Sequence, residues 1–398
     1  MKTAILIARL TPYGAERAAI RLAEGFKKKG IDVTVIVTDT SPAVKVKNVT
    51  VIPLLRGSDL NPFQKFIYAP LQYIRLYRLM KREKIGVLIS FMERANIFNL
   101  ALPGRHRRIL TIHTFIKRSL KERNIIVRTS TKILYTLFLH RAYQILCVSK
   151  ALMDDFPNIF PVNSNKLAVM YNPCNIEQIQ SLAQQPIETQ FHKLFDGNVI
   201  IHAGRFTKDK GQWYLIRSFK KILETIPNVE LVFLGDGKLR GYAESLAYAL
   251  GLKDKVHFLG FQQNPFKFIS RATVLSFPSL WEGFPVALVE ALICGAAIVA
   301  TDCKSGPREL LAPDTDFSQV AREIEQSKYG ILVPPLDGEF KKADAPLTKE
   351  EEMLAEALLT LLQDDLLRQH YKQVGYQRTD KFRTDRIVEE WMSVLEKL

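Results

Sequence analysis

The sequence predicts an α/β protein made of two doubly wound domains in tandem, on three observations. At 398 residues the chain is longer than one core usually serves, since domains run roughly 100–200 residues. Twice along it, a continuous apolar strand leads into a polar or glycine-bearing loop and then an amphipathic helix. Strands that are apolar throughout, rather than alternating, belong to parallel sheets covered by helices on both faces. The composition, 47% hydrophobic and 24% charged, excludes a disordered, fibrous or disulfide-framework chain.

The first series begins with the apolar run Ala4-Ile5-Leu6-Ile7-Ala8 and the turn cluster Thr11-Pro12-Tyr13-Gly14. Ala19, Ile20, Leu22, Ala23 and Phe26 then recur at helical spacing between Ala15 and Lys29, and Gly30 ends that helix. Val33–Val37 is the next strand, which completes a βαβ unit. Val49–Leu54, a basic amphipathic helix over Phe63–Arg82, the strands Gly86–Ser90 and Arg108–His113, a helix over Lys121–His140 and the strand Ile145–Ser149 follow. The second series runs from the strand Asn198–Ala203 through the polar loop Gly204–Gly211 to a helix over Gln212–Ile226. Glu230–Leu234 is a strand closed by Gly235-Asp236-Gly237, and Val256–Leu259, Val274–Phe277 and Ala297–Ala300 are further strands. A linker is expected in Tyr171–Ile187, with domains over 1–175 and 176–384. Pro334–Leu347 reads as a polar surface insertion, and Glu351–Leu367 as one surface helix.

No apolar run reaches the roughly 18–20 residues of a spanning helix, and the N-terminal apolar stretch is too short for a signal peptide. Cys147, Cys174, Cys294 and Cys303 are widely spaced without Cys-x-x-Cys, the pattern of reduced thiols in the cytoplasm. The net charge of +15 is unevenly placed: residues 1–150 hold 28 Lys and Arg against 8 Asp and Glu. The rest of the chain is slightly acidic. Nucleic acid, an anionic membrane and a phosphorylated substrate are each compatible with the basic part. The absence of a helix-turn-helix, zinc-finger or RNP-like pattern weighs against nucleic acid. In the helix over Phe63–Arg82, aromatic and aliphatic residues mix with Arg75, Arg78, Lys81 and Arg82, which suits a membrane interface. A core helix with a solvated basic face would show the same pattern.

Four constellations carry chemistry. After the strand Val274–Phe277 comes Trp281-Glu282-Gly283-Phe284-Pro285-Val286-Ala287-Leu288-Val289-Glu290. Glu282 falls in the loop, Pro285 suits a helix's first turn, and Glu290 lies about two turns into that helix. Unpaired amides beside Gly283 offer an anion site, while a carboxylate suits a polyol. Glu290 is surrounded by apolar residues and needs a hydrogen-bond partner there. The loop Gly204-Arg205-Phe206-Thr207-Lys208-Asp209-Lys210-Gly211 leaves a strand's carboxyl end, where ligands of open α/β sheets bind. Arg205 and Lys210 can place two charges on a diphosphate there, although an ordinary charged loop reads alike in isolation. Gly14 allows close approach to the backbone but lacks the spacing of a dinucleotide fingerprint. His113 ends a strand, and Lys117, Arg118, Lys121 and Arg123 follow it with Glu122 as the one acid between residues 101 and 150.

Taken together, these residues resemble glycosyltransferase family 4, retaining enzymes of the GT-B fold, over nearly the whole chain. The E-x7-E spacing from Glu282 to Glu290 is the most specific element, with the Gly-Arg…Lys-Gly loop, Gly235-Asp236-Gly237 and the Gly14 loop in the expected order. Cys303-Lys304-Ser305-Gly306-Pro307-Arg308-Glu309 and Ser90-Phe91-Met92…Asn96 are similar to lipid-linked N-acetylgalactosaminyltransferases. The resemblance implies two Rossmann-like domains facing across a cleft, with the last helix, 385–398, packed back on the first domain. It implies that Arg205 and Lys210 bind the donor diphosphate and that Glu290 bonds the ribose. Glu282 with the amides of Gly283, Phe284 and Val286, flanking Pro285, would hold sugar and phosphate. The nucleobase would lie by Gly260, Phe261 and Asn264, and Gly14 would border the donor. His113 would orient the sugar, and Lys117, Arg118, Lys121 and Arg123 would bind the acceptor diphosphate. Tyr13 stands where the family often has a second glycine, and His113 lacks the flanking acid of relatives.

The expected reaction is transfer of an N-acetylhexosamine, GalNAc favoured, from a UDP-sugar to a polyprenyl-diphosphate-linked glycan, for surface polysaccharide or glycoprotein glycan assembly. The expected place is the cytoplasmic membrane face. No cofactor or metal is expected, because the one Asp-x-Asp, Asp314-Thr315-Asp316, falls in a polar stretch beyond the site helix. A GT-B-fold epimerase, a soluble glycan synthase and a basic nucleic-acid-binding protein are the alternatives.

Overall fold

The computed structural model describes residues 2–10, 14–39, 46–55, 64, 67–116 and 125–397. The chain divides into two compact units, Met1–Cys174 with Phe382–Leu398, and Asn175–Lys381. In the first unit the strands are β1 (Thr3–Ile7), β2 (Val33–Val37), β3 (Thr50–Pro53), β4 (Val87–Phe91), β5 (Arg107–Ile112), β6 (Gln144–Cys147) and β7 (Leu167–Val169). They form one parallel sheet in the order β3-β2-β1-β4-β5-β6-β7. Ile5, Leu6, Leu88, Ile89, Ile109 and Leu110 are fully buried, as their continuous apolar pattern requires. The order reverses between β1 and β4, the position where ligands of such sheets bind.

The last helix, Thr384–Glu396, buries Ile387, Val388 and Trp391 in this same unit. Trp391 meets Phe26 of the helix Gly14–Lys28 edge to face, with ring centroids 6.1 Å apart. Cys174 N–H donates to Phe382 O at 2.7 Å and Thr384 N–H to Cys174 O at 3.0 Å. The outgoing and returning chains are thus paired side by side.

The second unit has β8 (Asn198–Ala203), β9 (Val229–Leu234), β10 (Val256–Phe258), β11 (Val274–Phe277), β12 (Ala297–Thr301), β13 (Glu325–Ser327) and β14 (Gly330–Val333). Their order is β10-β9-β8-β11-β12-β14-β13, and β13 alone pairs antiparallel. The reversal lies between β8 and β11, so the loops after these two strands meet at the binding position.

Three readings change in detail, and one helix is additional. The boundary between the units, Cys174 to Asn175, falls inside the expected linker Tyr171–Ile187, which also holds the helix Ile176–Ala183, capped by Asn175 through Gln178 N–H at 3.1 Å. Glu351–Leu367 is not one surface helix. Asp364 accepts from Leu367 N–H and divides it into Lys349–Gln363 and Asp365–Thr379, and Leu354, Leu358 and Leu361 of the first part are buried. Pro334–Leu347 lacks regular structure but is tied down. The fully buried Arg217 pairs with Glu351 at 2.6 Å and donates to Ala345 O and Pro346 O at 3.1 and 2.8 Å. Buried guanidinium donors need such partners, and that segment's carbonyls supply them. The helix Met92–Ala101, between β4 and β5, has no counterpart in the sequence reading, because polar Asn96 and Asn99 interrupt its apolar pattern. The basic helix is described over Ala69–Arg82 and the next over Ile125–Phe138, while Phe63 and residues 121–124 lie outside the described residues.

Candidate active site

The second unit's loops after β8 and β11 converge on one ion pair. Lys210 Nζ lies 2.5 Å from Glu282 Oε1 and 3.7 Å from Asp209 Oδ2. Both side chains are mostly buried, 16% and 10% exposed. Burial opposes the Lys210 charge, but Glu282 and Asp209 outweigh it and hold the ammonium above its ordinary pKa. Lys210 therefore stays charged at any physiological pH. Leu280 N–H donates to Asp209 O at 2.8 Å, which stitches the two loops by their backbones as well.

Each loop has its own brace. In the first, Gly211 has φ +60, and a side chain there would run into Pro278 O of the other loop. Gln212 donates to Arg205 O at 2.7 Å and lies 3.4 Å from His202 Nε2. His202 Nδ1 is 3.1 Å from Ser276 O. Burial, helped by the Lys210 charge and opposed by the Ser276 contact, pushes His202 down to about 4, so this support is neutral. Arg205 itself is exposed, and its charge acts on Lys210.

In the second, Glu282 N–H donates to Lys304 O at 3.4 Å and Ser305 hydroxyl to Gly283 O at 2.6 Å. Arg308 anchors the supporting loop through Asp302 at 2.6 Å and Glu325 at 2.7 Å. Gly306 has φ +99, and a side chain on it would collide with Pro285. Pro285 directly precedes the helix Val286–Ile293, on which Glu290 is buried. Val286 N–H turns back onto Phe284 O at 2.9 Å and so is not directed outward as expected. The Gly283 N–H has no partner among the described residues. Burial and the Glu282 charge push the Cys303 thiol well above its ordinary value, so it stays protonated beside the pair.

The turn at Gly260 is linked to this frame, since Gly235 N–H donates to Gly260 O at 2.8 Å. Phe261 is exposed next to it. The Asn264 side chain is occupied by protein: its amide donates to Leu182 O and Gln185 Oε1 at 2.8 and 2.9 Å, and its oxygen accepts from Phe266 N–H. That side chain braces the neighbouring helices, so a base contact at this turn would fall to the backbone. Asp314 and Asp316 are exposed, and Asp314 pairs with Lys328 at 2.8 Å.

In the first unit, His113 lies just past the end of β5 and is 9% exposed. Thr111 Oγ1 is 2.9 Å from its Nε2, and the Phe91 ring is tilted against it at 5.1 Å. Burial pushes His113 down to about 3, so it is neutral and exchanges no proton near neutrality. Gly14 is the exposed first residue of its helix. Tyr13, Lys117, Arg118, Lys121 and Arg123 lie outside the described residues. Gln212, His202, Ser305, Arg308 and Thr111 were not foreseen as site supports. His202 and Thr111 do stand at strand ends beside the glycine loop and His113, the one signal that marks them.

Comparison with known proteins bears on the family and the fold. The family model described as Glycosyltransferase Family 4 matches residues 12–178, and that for Glycosyl transferases group 1 matches residues 185–327. The two in tandem cover more than half of the chain, and the protein belongs to the family 4 glycosyltransferases. An uncharacterised glycosyltransferase of Methanocaldococcus jannaschii is 40% identical over 236 residues, 58% of each chain. This chain thus spans little more than half the length of that relative. A Campylobacter jejuni N-acetylgalactosamine-N,N'-diacetylbacillosaminyl-diphospho-undecaprenol 4-alpha-N-acetylgalactosaminyltransferase is 28% identical over 84% of this chain and 83% of its own. Among solved structures, Anabaena HepE in complex with UDP and glucose superposes with a TM-score of 0.78 at 18% identity over 100% of both chains. The lipopolysaccharide glycosyltransferase WaaG gives 0.70 at 16% identity, over 98% of this chain and 99% of its own. The fold is GT-B.

Gly306→Ala is expected to keep the chain folded yet lower glycosyl transfer about 100-fold, because it displaces Pro285 and the loop bearing Glu282. Steady-state rates beside a thermal melt check this, and near-native transfer contradicts it.

Proposed function

We propose that this glycosyltransferase moves an N-acetylhexosamine, GalNAc favoured, from a UDP-sugar to a polyprenyl-diphosphate-linked glycan, with retention at the anomeric carbon. The observation that carries the reading is the Lys210–Glu282 pair at the reversal between β8 and β11, beside the exposed Arg205. A cation and a carboxylate at that position suit a sugar diphosphate, which carries both anionic oxygens and hydroxyls. The C. jejuni relative is named for transfer to an undecaprenol diphosphate glycan, and HepE is solved with UDP and with UDP-glucose.

In this reading Arg205 and Lys210 stabilise the charge that develops on the leaving diphosphate as the glycosidic bond breaks with oxocarbenium character. The Gly283 N–H adds a donor, and Glu282 and Glu290 take sugar and ribose hydroxyls. Backbone at Gly260 and the face of Phe261 take the nucleobase, and Gly14 borders the donor. No covalent glycosyl-enzyme is invoked. The leaving phosphate accepts the acceptor's proton on the same face. His113, neutral by burial, contributes hydrogen bonding, and Lys117, Arg118, Lys121 and Arg123 take the acceptor diphosphate. No metal takes part.

The test is a screen of UDP-sugars against a synthetic polyprenyl-diphosphate glycan with and without EDTA, scored by product mass and anomeric configuration. An α-linked N-acetylhexosamine, formed equally with chelator, is expected. Glu282→Ala and Lys210→Ala should each lower the rate at least about 100-fold. Near-native rates in both variants, or release of free sugar without transfer, overturn the reading.

Membrane placement at the cytoplasmic face belongs to the same proposal. No described helix is long and apolar enough to cross a membrane. Ile67, Tyr68, Leu71 and Ile74 are nevertheless exposed at the start of the basic helix, and Arg78, Lys81 and Arg82 at its end. Ile125, Ile133 and Leu137 form a second exposed stripe in the same unit. Arg75 is set apart, since it donates to Leu54 O at 2.8 Å and is structural. Replacing Arg78, Lys81 and Arg82 by Glu should abolish flotation with phosphatidylglycerol vesicles, at about 1 kcal/mol per charge. Unchanged flotation, or wild-type binding competed away only by nucleic acid, contradicts this placement.

A further inference from the structure

The seat of His113 fixes more than its charge. Thr111 Oγ1 lies 2.9 Å from Ser90 O and 2.9 Å from His113 Nε2. A hydroxyl has one proton, and a carbonyl oxygen only accepts. If that proton goes to Ser90 O, the ring must supply the other, from Nε2–H, and both contacts are hydrogen bonds. If it goes instead to Nε2, the Ser90 contact is lost and the ring proton sits on Nδ1, which has no partner among the described residues. Buried polar groups adopt the arrangement that satisfies more of them.

Thr111 is itself held. Asn96 donates to Thr111 O at 3.0 Å and accepts from Ser90 Oγ at 2.7 Å. Asn99 donates to Ser90 Oγ at 3.0 Å and to Leu88 O at 2.8 Å. Ser90, Asn96, Asn99 and Thr111 are all buried, the two asparagines on the helix Met92–Ala101 that the sequence pattern does not reveal. The network runs from the interior of β4 and β5 to a single ring at the strand ends. There His113 lines a small cavity with Phe91, Thr111, Val148, Tyr171 and Asn172.

We propose that Thr111 is a positioning residue that holds His113 as the Nε2–H tautomer, so that Nδ1 is a bare acceptor for a sugar hydroxyl and not for a phosphate oxygen. An unprotonated ring nitrogen accepts from an O–H, whereas an ionised diphosphate offers acceptors only and is turned away. The tautomer stands on the first unit's geometry alone, and the sugar as ligand rests on the transferase reading above. The hydroxyl belongs to the donor sugar or to the acceptor glycan, and the test separates the two.

The experiment is long-range ¹H–¹⁵N spectroscopy of the whole protein labelled in histidine, with His113 assigned by its loss in His113→Gln. The free enzyme should show Nε2 protonated and Nδ1 bare. Thr111→Ser should keep that signature and most of the transfer rate. Thr111→Val should admit the Nδ1–H form and lower kcat about tenfold or more, with a thermal melt to show that it is folded. UDP-GalNAc, the lipid-free acceptor glycan and inorganic pyrophosphate are then added separately. A shift of Nδ1 with one of the sugar ligands names the source of the hydroxyl, and pyrophosphate should leave Nδ1 unmoved. The proposal is overturned by Nδ1–H in the wild type, by an unchanged tautomer in Thr111→Val, by a response to pyrophosphate, or, in a protein that does transfer sugar, by silence towards both sugars. The free-enzyme arm needs no substrate, so an Nε2–H ring in a protein that transfers no sugar places the error in the functional reading alone.

Discussion

The second unit is organised around one buried cation held between carboxylates. Lys210 is mostly removed from water, and an unpaired ammonium there is strongly disfavoured. Glu282 comes from a loop 72 residues further on, so satisfying Lys210 forces the two strand ends at the sheet's reversal to close on each other. Removing one partner of such a pair typically costs about 3–5 kcal/mol, since the other charge remains buried. The surrounding features follow from this constraint. Gly211 gives the first loop its turn against Pro278, Gln212 steadies Arg205, and Ser305 with Gly306 holds the second loop and Pro285 in place.

The pair also sets what the site does before a ligand arrives. Lys210 is a cation already answered by Glu282 and Asp209, while Arg205 is the exposed one. In the proposed reading an incoming diphosphate takes Lys210 away from Glu282, and the released carboxylate meets the sugar. Binding and arming of the site are then a single exchange. The first unit follows another logic, with a neutral histidine seated on a buried polar network. Its outer helices combine exposed apolar and basic side chains. The chain's excess positive charge lies in the first 150 residues of the sequence.

Much of this was legible in the sequence wherever the physics is local. Continuous apolar runs marked the strands buried on both faces, such as Ala4–Ile7 and Val199–Ile201. The spacing of Glu282, Gly283, Pro285 and Glu290 placed a loop and a helix start correctly. Partnership between residues far apart in the chain was not legible. Lys210 and Glu282 were assigned to different parts of a ligand, and the structure pairs them. The side chain of Asn264 is held by Leu182 and Gln185, about 80 residues earlier, and no local pattern announces that. Pro334–Leu347 looked like loose surface because its anchors, Arg217 and Tyr214, lie more than 100 residues away. Thr111 and Asn96 carry no periodic signal, since a buried polar network has no spacing rule of its own.

The central claim is that Lys210 serves the diphosphate and that Glu282 competes for it. Calorimetric binding of UDP and of UDP-GalNAc to wild type, Lys210→Met, Glu282→Gln and the double variant tests it most directly. UDP should bind Glu282→Gln at least as tightly as wild type and Lys210→Met about tenfold or more weakly, while UDP-GalNAc loses affinity in both. Equal weakening of UDP by the two single substitutions would contradict the account.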